Sequence, residues 1–565
     1  MSDSDSGRLP FGFPLPPTPP GEEEAAARAV DTAKAHRFET GIETRGGIEL
    51  AADVYLPAAA SRPAPAVVVG TPYDKSQVDE PTAPYQEAGY ARVTYDVRGR
   101  GKSEGVWHPH EYEVDDAYDV IEWVAAQEWC NGDVGITGIS YLGGMVWKTM
   151  AARPPALRAA ISTAPEGRWQ QECPYNYGCF WLYYEWWYML TRRRILGSGL
   201  DIDSLVQVLP VEKAGEMLAT HGPGWQEALD HDTLDELWRS RRWDGEYDYD
   251  IPTLHVGGWY DRQAPTGLYH HYEQMMATSP ARDRQWLLVG PWDHGAARHP
   301  VDGYLDFEAP AAAIDMTAIH LAFFDRFLRG EENGFEEEAP VRLYDTGARA
   351  WRARPEWQGS TRSEDLFLAG DGELAGAAGE DGETGYVYDP MRAPGLRFEF
   401  NTMDPRPPID LGDLESQDGV VTWTSAPLER DLTVHGWSEL ELWAATDGED
   451  TEWHAKVGDV DPDGRSLCVT WGCLRASYGD DASVPAPLVP GEAKRYSVEL
   501  VPAFHTIKAG HRIRLVLASA DFPWFARNMN RFGPIAKQDD PRVASNTVFH
   551  GAARPSRLRL RVEER

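Results

Sequence analysis

Basic residues are scarce in this sequence, and lysine is the scarcest of them. Lys and Arg number 54 against 90 Asp and Glu, a formal net charge of −36, and nine of the 54 are lysine. Neutralising phosphates takes clustered cations, so this balance excludes a nucleic-acid partner and an anionic membrane surface. Long apolar runs are missing too. No stretch approaches the roughly 18 to 20 residues that span a bilayer. The N-terminal MSDSDSGRLPFGFPLPPTPPGEEEAAARA has neither a basic region followed by an apolar one nor a twin-arginine signal. Residues 1–30 are therefore expected to be a mobile Pro-rich tail and not a signal peptide. Cysteine is sparse: Cys130, Cys173, Cys179, Cys468 and Cys473, with no CxxC pair. The spacings do not suit a metal site. They fit reduced thiols in a cytoplasmic protein, with a Cys173–Cys179 bridge as the alternative.

What is present points to an ordinary folded protein. A chain of 565 residues is too long for one domain, and 42% hydrophobic residues with 22 tryptophans are ample for two or three cores. Abundant carboxylates with little lysine resemble the surfaces of salt-adapted proteins, where ionic strength screens self-repulsion. A merely acidic, soluble protein is the plainer alternative.

Short apolar runs alternate with helical stretches up to about residue 330: AVVVG (66–70), ARVTYD (91–96), DVGITG (133–138), RAAIST (158–163), PTLHVGG (252–258) and QWLLVG (285–290). Continuous apolar character suits strands covered on both faces, as in a parallel α/β sheet. Each run is followed by polar, Gly-rich or ionisable residues, where open α/β sheets carry their chemistry. The expected core spans 31–164 and 251–348. Between its halves, 165–250 reads as a helical cap, and nine of the fifteen residues from Tyr175 to Met189 are aromatic. From 349 to 565 the alternating pattern of LTVHGWSELELWAAT, HRIRLVLASA and SRLRLRVEE predicts an antiparallel β-sandwich of jelly-roll type. Within it GDGELAGAAGEDGETG (370–385) is expected to be a loop.

Ser140 stands in GISYLGG, between a strand and an apolar helix. That is the setting of a nucleophile elbow, whose sharp turn leaves no space for side chains and so accounts for Gly138 and Gly143. A serine that merely caps the helix is the competing reading. A nucleophilic serine needs a histidine to take its proton and a carboxylate to orient that histidine. Asp261 and His294 follow later strands in the α/β-hydrolase order. Asp293 competes with Asp261, but it adjoins His294 in sequence, which makes a bond to the ring awkward. His255 is expected in a strand core, His270 and His271 on a helix, and His108 and His110 in a capping or solvated loop. For the oxyanion, the Tyr141 backbone N–H and the Tyr73 hydroxyl are the expected donors; Tyr73 could instead pack beneath the cap.

These residues, with TPYDK (71–75), DVRGRGKSEG (96–105), GGWYD (257–261), GPWDH (290–294), FFDRFLRGE (323–331), AKVGDVDPDGR (455–465) and DFPWFARN (521–528), resemble the cocaine esterase-like serine hydrolases. That group is related to X-prolyl dipeptidyl-peptidases and α-amino acid ester hydrolases. The resemblance implies an α/β-hydrolase core, a helical cap and a C-terminal jelly roll. It also implies Ser140 as nucleophile, His294 as base and Asp261 as orienting acid, with Tyr73 and the Tyr141 amide as the oxyanion hole. The amino-acid ester hydrolases carry acidic residues two and three places after the triad aspartate, where this chain has Gln263 and Ala264. Recognition of a free α-amino group is thereby put in doubt. The aromatic cap suggests an apolar acyl group, with Trp181, Tyr175, Trp259 and Gln263 as substrate contacts; cap packing is the alternative for the aromatics.

The expected activity is cleavage of carboxylic esters through an acyl-enzyme, with an acylase or X-prolyl peptidase as the second reading. The expected partner is a small ester or amide substrate, no metal or organic cofactor is required, and homo-oligomerisation is left open. A non-catalytic jelly-roll carbohydrate-binding protein is the rival from another class. It would have a broken triad or lack the oxyanion tyrosine.

Overall fold

The computed structural model describes residues 36–167, 172–182, 206–217, 223–241, 245–294, 314–396 and 408–564. The expected N-terminal tail and the cap segment 183–205 lie outside them. Six runs of the sequence become strands: Ala64–Thr71 (β3), Ala91–Asp96 (β4), Cys130–Ile139 (β5), Leu157–Thr163 (β6), Thr253–Gly258 (β9) and Gln285–Gly290 (β10). All residues of β3, β4 and β10 are buried, which suits the apolar runs AVVVG and WLLVG of β3 and β10; in β4 the buried Arg92, Thr94 and Asp96 alternate with apolar residues. Helices cover both faces. Met145, Val146 and Met150 of the helix Tyr141–Ala152 join the core on one side, and Phe323, Phe324 and Leu328 of Met316–Arg329 join it on the other. Fully burying a side chain of this size stabilises by about 1.5–3 kcal/mol.

The sheet is larger than expected. Its order is β1-β2-β4-β3-β5-β6-β9-β10-β11-β12, parallel from β4 to β11, and it also includes His36–Glu43 (β1), Glu49–Leu56 (β2), Val341–Asp345 (β11) and Ala350–Arg354 (β12). Because β12 pairs antiparallel with β11, the first unit runs past the expected limit at 348. Hydrogen bonding draws the boundary here, a few residues beyond the change in hydrophobic pattern. The described cap combines short helices (Glu212–Met217, Pro223–Asp230, Glu236–Arg241) with a hairpin that was not foreseen, Tyr175–Asn176 (β7) and Cys179–Phe180 (β8).

The C-terminal unit is a β-sandwich with its own core, including Trp423, Leu440, Trp453, Val457, Leu515 and Leu558. The segment 370–385 is not simply a loop. It holds the strand Glu373–Ala375 and the start of Gly382–Tyr388, which pairs with Ala544–His550. Its glycines had masked strand periodicity. The five cysteines are buried and unbridged, and among the described residues no helix is long and apolar enough to cross a membrane.

Candidate active site

At the carboxyl end of β5 the backbone of Ser140 takes φ 61° and ψ −130°. A non-glycine residue pays about 1–3 kcal/mol for such a conformation and keeps it only where its surroundings fix it. Here they do. The Ser140 N–H donates to the Thr163 carbonyl at the end of β6 (3.0 Å), and its carbonyl accepts from Gly144 (2.9 Å). A Cβ on Gly138 would lie 2.2 Å from the Leu142 carbonyl oxygen, and one on Gly143 would lie 2.5 Å from that of Thr163. Only hydrogen fits at these two positions, as the elbow reading requires.

Asp261 and His294 leave the neighbouring strands β9 and β10 and meet. His294 Nδ1 donates to Asp261 Oδ2 at 2.9 Å, and the two are 6% and 4% exposed. The other carboxylate oxygen accepts the backbone N–H groups of Gln263 (2.8 Å) and Ala264 (2.9 Å). With its acceptor pinned in this way, the imidazole is held in one orientation and its far nitrogen is turned away from the acid. Tyr73 lies two residues beyond β3, the strand beside β5, where its N–H donates to Thr71 Oγ1 at 3.0 Å and its half-buried side chain packs against the core.

The Tyr141 side chain is anchored from three directions. Its hydroxyl bonds to the Glu113 carboxylate and accepts from the His110 amide (3.1 Å) and the Trp107 indole (3.3 Å), and its ring stacks on His110 at 4.0 Å. The expectation of a solvated His110 is corrected. It is 1% exposed, and its carbonyl accepts from Lys148. His108 is paired with Glu227 at 2.9 Å. The other expectations for histidine hold: His255 is buried in β9 beside Gln285 (2.9 Å), and His270 and His271 lie on the helix Gly267–Thr278.

Two ionisable groups beneath the elbow escaped the sequence reading. Lys148 is pushed down to about 7 by burial, with Glu113 opposing. Glu166, just past β6, is pushed up to about 7, chiefly by burial, with Glu172 and Asp261 adding and His294 opposing. Its Oε2 is enclosed with no hydrogen-bond partner among the described residues, and a Cβ on Gly144 would lie 2.9 Å from it. A lysine inside an apolar helix was the available signal for the first; Glu166 had none.

The aromatics proposed as substrate contacts are committed to the fold. Tyr175 is fully buried and donates its hydroxyl proton to the Ala228 carbonyl (2.7 Å). Trp181 forms a β-bridge with Phe525 of the C-terminal unit and packs near Trp524 (5.7 Å). Trp259 stacks on Tyr269 (5.9 Å) and Trp357 (6.1 Å) and donates its indole N–H to the Tyr344 carbonyl (2.8 Å). An aromatic-rich sequence reads alike whether its rings line a pocket or seal a joint, and for these three they seal a joint. Gln263 is buried, its backbone N–H on Asp261.

Residues 46–296 match the family model of the X-Pro dipeptidyl-peptidase, S15 family, and residues 333–559 match that of the X-Pro dipeptidyl-peptidase C-terminal non-catalytic domain. The chain is 27% identical to the cocaine esterase of Rhodococcus sp. (strain MB1 Bresler), over 93% of this chain and 98% of that one. Along nearly its whole length it resembles the cocaine esterase-like serine hydrolases. Two solved structures share the whole fold of this serine hydrolase. An α-amino acid ester hydrolase superposes with a TM-score of 0.84 at 24% identity, with 100% of each chain covered. An aminopeptidase from a marine sediment archaeon, Thaumarchaeota archaeon, gives 0.84 at 24%, covering 100% and 99%. In this serine hydrolase the C-terminal domain also reaches the loop of Asp261: Arg262 pairs with Asp521.

Proposed function

We propose that this serine hydrolase cleaves carboxylic esters through an acyl-enzyme formed on Ser140, with His294 as general base and Asp261 as the acid that orients it. The reading rests on one observation above all: the His294–Asp261 hydrogen bond of 2.9 Å stands at the same carboxyl end of the sheet as a serine held at φ 61°. His294 Nε2 takes the Ser140 hydroxyl proton as Oγ attacks the ester carbonyl, and the Asp261 carboxylate stabilises the imidazolium. The Tyr141 N–H and the Tyr73 hydroxyl donate to the oxyanion of the tetrahedral intermediate. His294 then protonates the departing alkoxide, and water, activated by the same imidazole, releases the acid and restores Ser140.

Two considerations favour esters over X-Pro amides. The Rhodococcus relative is named an esterase and matches along nearly its full length. The two places after Asp261 carry Gln263 and Ala264, which offer backbone N–H groups to Asp261 and no carboxylate for a substrate ammonium. The peptidase reading retains the support of the family model's description. Comparing kcat/KM for p-nitrophenyl butyrate and Ala-Pro-p-nitroanilide decides between them. The ester is expected to be the faster substrate; a preference for the anilide would make the enzyme a peptidase.

The acidic, lysine-poor composition is read as adaptation to a salt-rich cytoplasm, where counterions screen the net charge of −36. Unfolding midpoints in low and multimolar KCl test this, and a midpoint that does not rise with salt contradicts it.

A further inference from the structure

A second cluster of chemically active side chains lies away from Ser140, in the joint between the cap hairpin and the C-terminal sandwich. Glu452 and His454 are alternate residues of the strand Glu452–Val460 and so project from the same face. Cys179 comes from β8. One ligating atom from each of the three lies within 4.8 Å of the other two, and the residues are 0%, 3% and 0% exposed in the order Glu452, His454, Cys179. His454 Nε2 and Glu452 Oε2 share a hydrogen bond of 2.7 Å. The remaining carboxylate oxygen, Oε1, is buried with no hydrogen-bond partner among the described residues. A buried carboxylate oxygen left unsatisfied is costly, and buried charges are characteristically paired or bound to metal.

The surroundings complete the picture. Cys473 faces His454 directly across the strand pair, beside Cys179, and its thiol donates to Asn176 Oδ1 (3.2 Å). Arg475, on the neighbouring strand, is cross-strand from Glu452 and already matched by Asp450 at 2.7 Å. The ring of Phe525 packs on His454 at 5.2 Å.

We propose that Cys179, Glu452 and His454 form a binding site for a divalent transition-metal ion of the zinc type, with the Cys473 thiol as the nearest fourth donor. A thiolate, an imidazole and a carboxylate form a donor set suited to zinc and ill suited to magnesium or calcium, which take oxygen ligands. On binding, the Cys179 thiol releases one proton to solvent. His454 keeps a single ring proton, now on Nδ1, and frees Nε2 for the ion. One thiolate and one carboxylate then balance the dication, so the buried site is neutral. The ion would tie the hairpin leading to Trp181 to the sandwich; its role is structural, apart from the ester chemistry. Sequence spacing concealed the set because Cys179 lies far along the chain from the Glu452–His454 pair.

The test uses the full-length protein, stripped with a chelator and titrated with cobalt(II). One equivalent should bind with sulfur-to-cobalt charge-transfer absorption in the near ultraviolet. Zinc should displace it and raise the thermal midpoint of the stripped protein. Cys179→Ser, nearly isosteric, should weaken binding by more than the roughly 10–100-fold that loss of an outer-shell partner costs. Cys130→Ser should leave it unchanged. His454→Gln gives the same reading as Cys179→Ser if that variant does not fold. No charge-transfer band and no midpoint shift in the wild-type protein would overturn the proposal, as would a band that survives in Cys179→Ser and His454→Gln. Esterase activity is not the readout, so this result and that for the triad stand apart.

Discussion

Arg262 Nη2 lies 2.6 Å from Asp521 Oδ2, and both side chains are 1% exposed. The residue next to Asp261 is thus fastened to the C-terminal domain. Lys456 Nζ reaches the same oxygen at 2.9 Å, and the Arg262 guanidinium lies over Trp471 (5.0 Å) and Trp524 (4.7 Å). Burial alone would raise the Asp521 carboxyl, but Lys456 and Arg262 overcome it and hold the group well below the usual carboxylate range. Asp521→Asn would leave two buried cations without their anion. It is expected to destabilise by about 3–5 kcal/mol, the range for breaking a buried pair, and to lower turnover by loosening Asp261. The depressed group stabilises the fold at all pH values above its unfolded range, and that contribution is lost on acidification below it. Denaturant midpoints of wild type and Asp521→Asn as a function of pH should converge in strong acid and diverge above it.

Gly138→Ala tests the elbow geometry. A methyl group 2.2 Å from the Leu142 carbonyl must displace backbone, not a flexible side chain. Overpacking of this kind costs about 1–3 kcal/mol, and misplacing Ser140 by an ångström is expected to lower kcat by about 10²-fold. Parallel measurement of kcat and the unfolding midpoint checks both.

Tyr141→Phe removes the hydroxyl that joins Glu113, the His110 amide and the Trp107 indole. The buried groups left behind should cost about 1–3 kcal/mol, with a fall in kcat larger than any rise in KM, because the Tyr141 amide is assigned to the transition state. Steady-state kinetics at saturating ester separate the two.

Much of the candidate site was legible in the sequence because it is local. The order of Ser140, Asp261 and His294, each just past a buried strand, could be read along the chain, and so could the glycines that clear the elbow. The clamp on the Asp261 loop could not. Arg262 and Asp521 are 259 residues apart, and nothing in GGWYDR or DFPWFARN alone says that the two motifs meet. The joints that Trp181 and Trp259 seal were hidden for the same reason, since partners such as Phe525 and Trp357 come from distant segments. The edge strands β1 and β12 lack the continuous apolar signature because they are partly exposed, and in the buried β2 (ELAADVYL) and β11 (VRLYD) charged residues interrupt it.

Glu166 predicts a pH dependence. Its carboxyl moves from 4.5 to about 7 on folding, so the folded state binds more protons across that window and stability falls as pH rises through it. Glu166→Gln should flatten this part of the profile, measured by urea midpoints at constant salt. An unchanged slope would show that the group ionises normally.

The claim that Ser140 carries the acyl group is tested most directly by a pre-steady-state burst with p-nitrophenyl butyrate, followed by intact mass and peptide mapping. Wild type should release one equivalent of nitrophenol rapidly and gain a butyryl group on the peptide containing Ser140. Ser140→Ala should show neither, with turnover lower by roughly 10⁶-fold, as when a triad nucleophile is removed. Equal slow hydrolysis by the two proteins, with no adduct, would contradict the account and leave Ser140 as the cap of a helix.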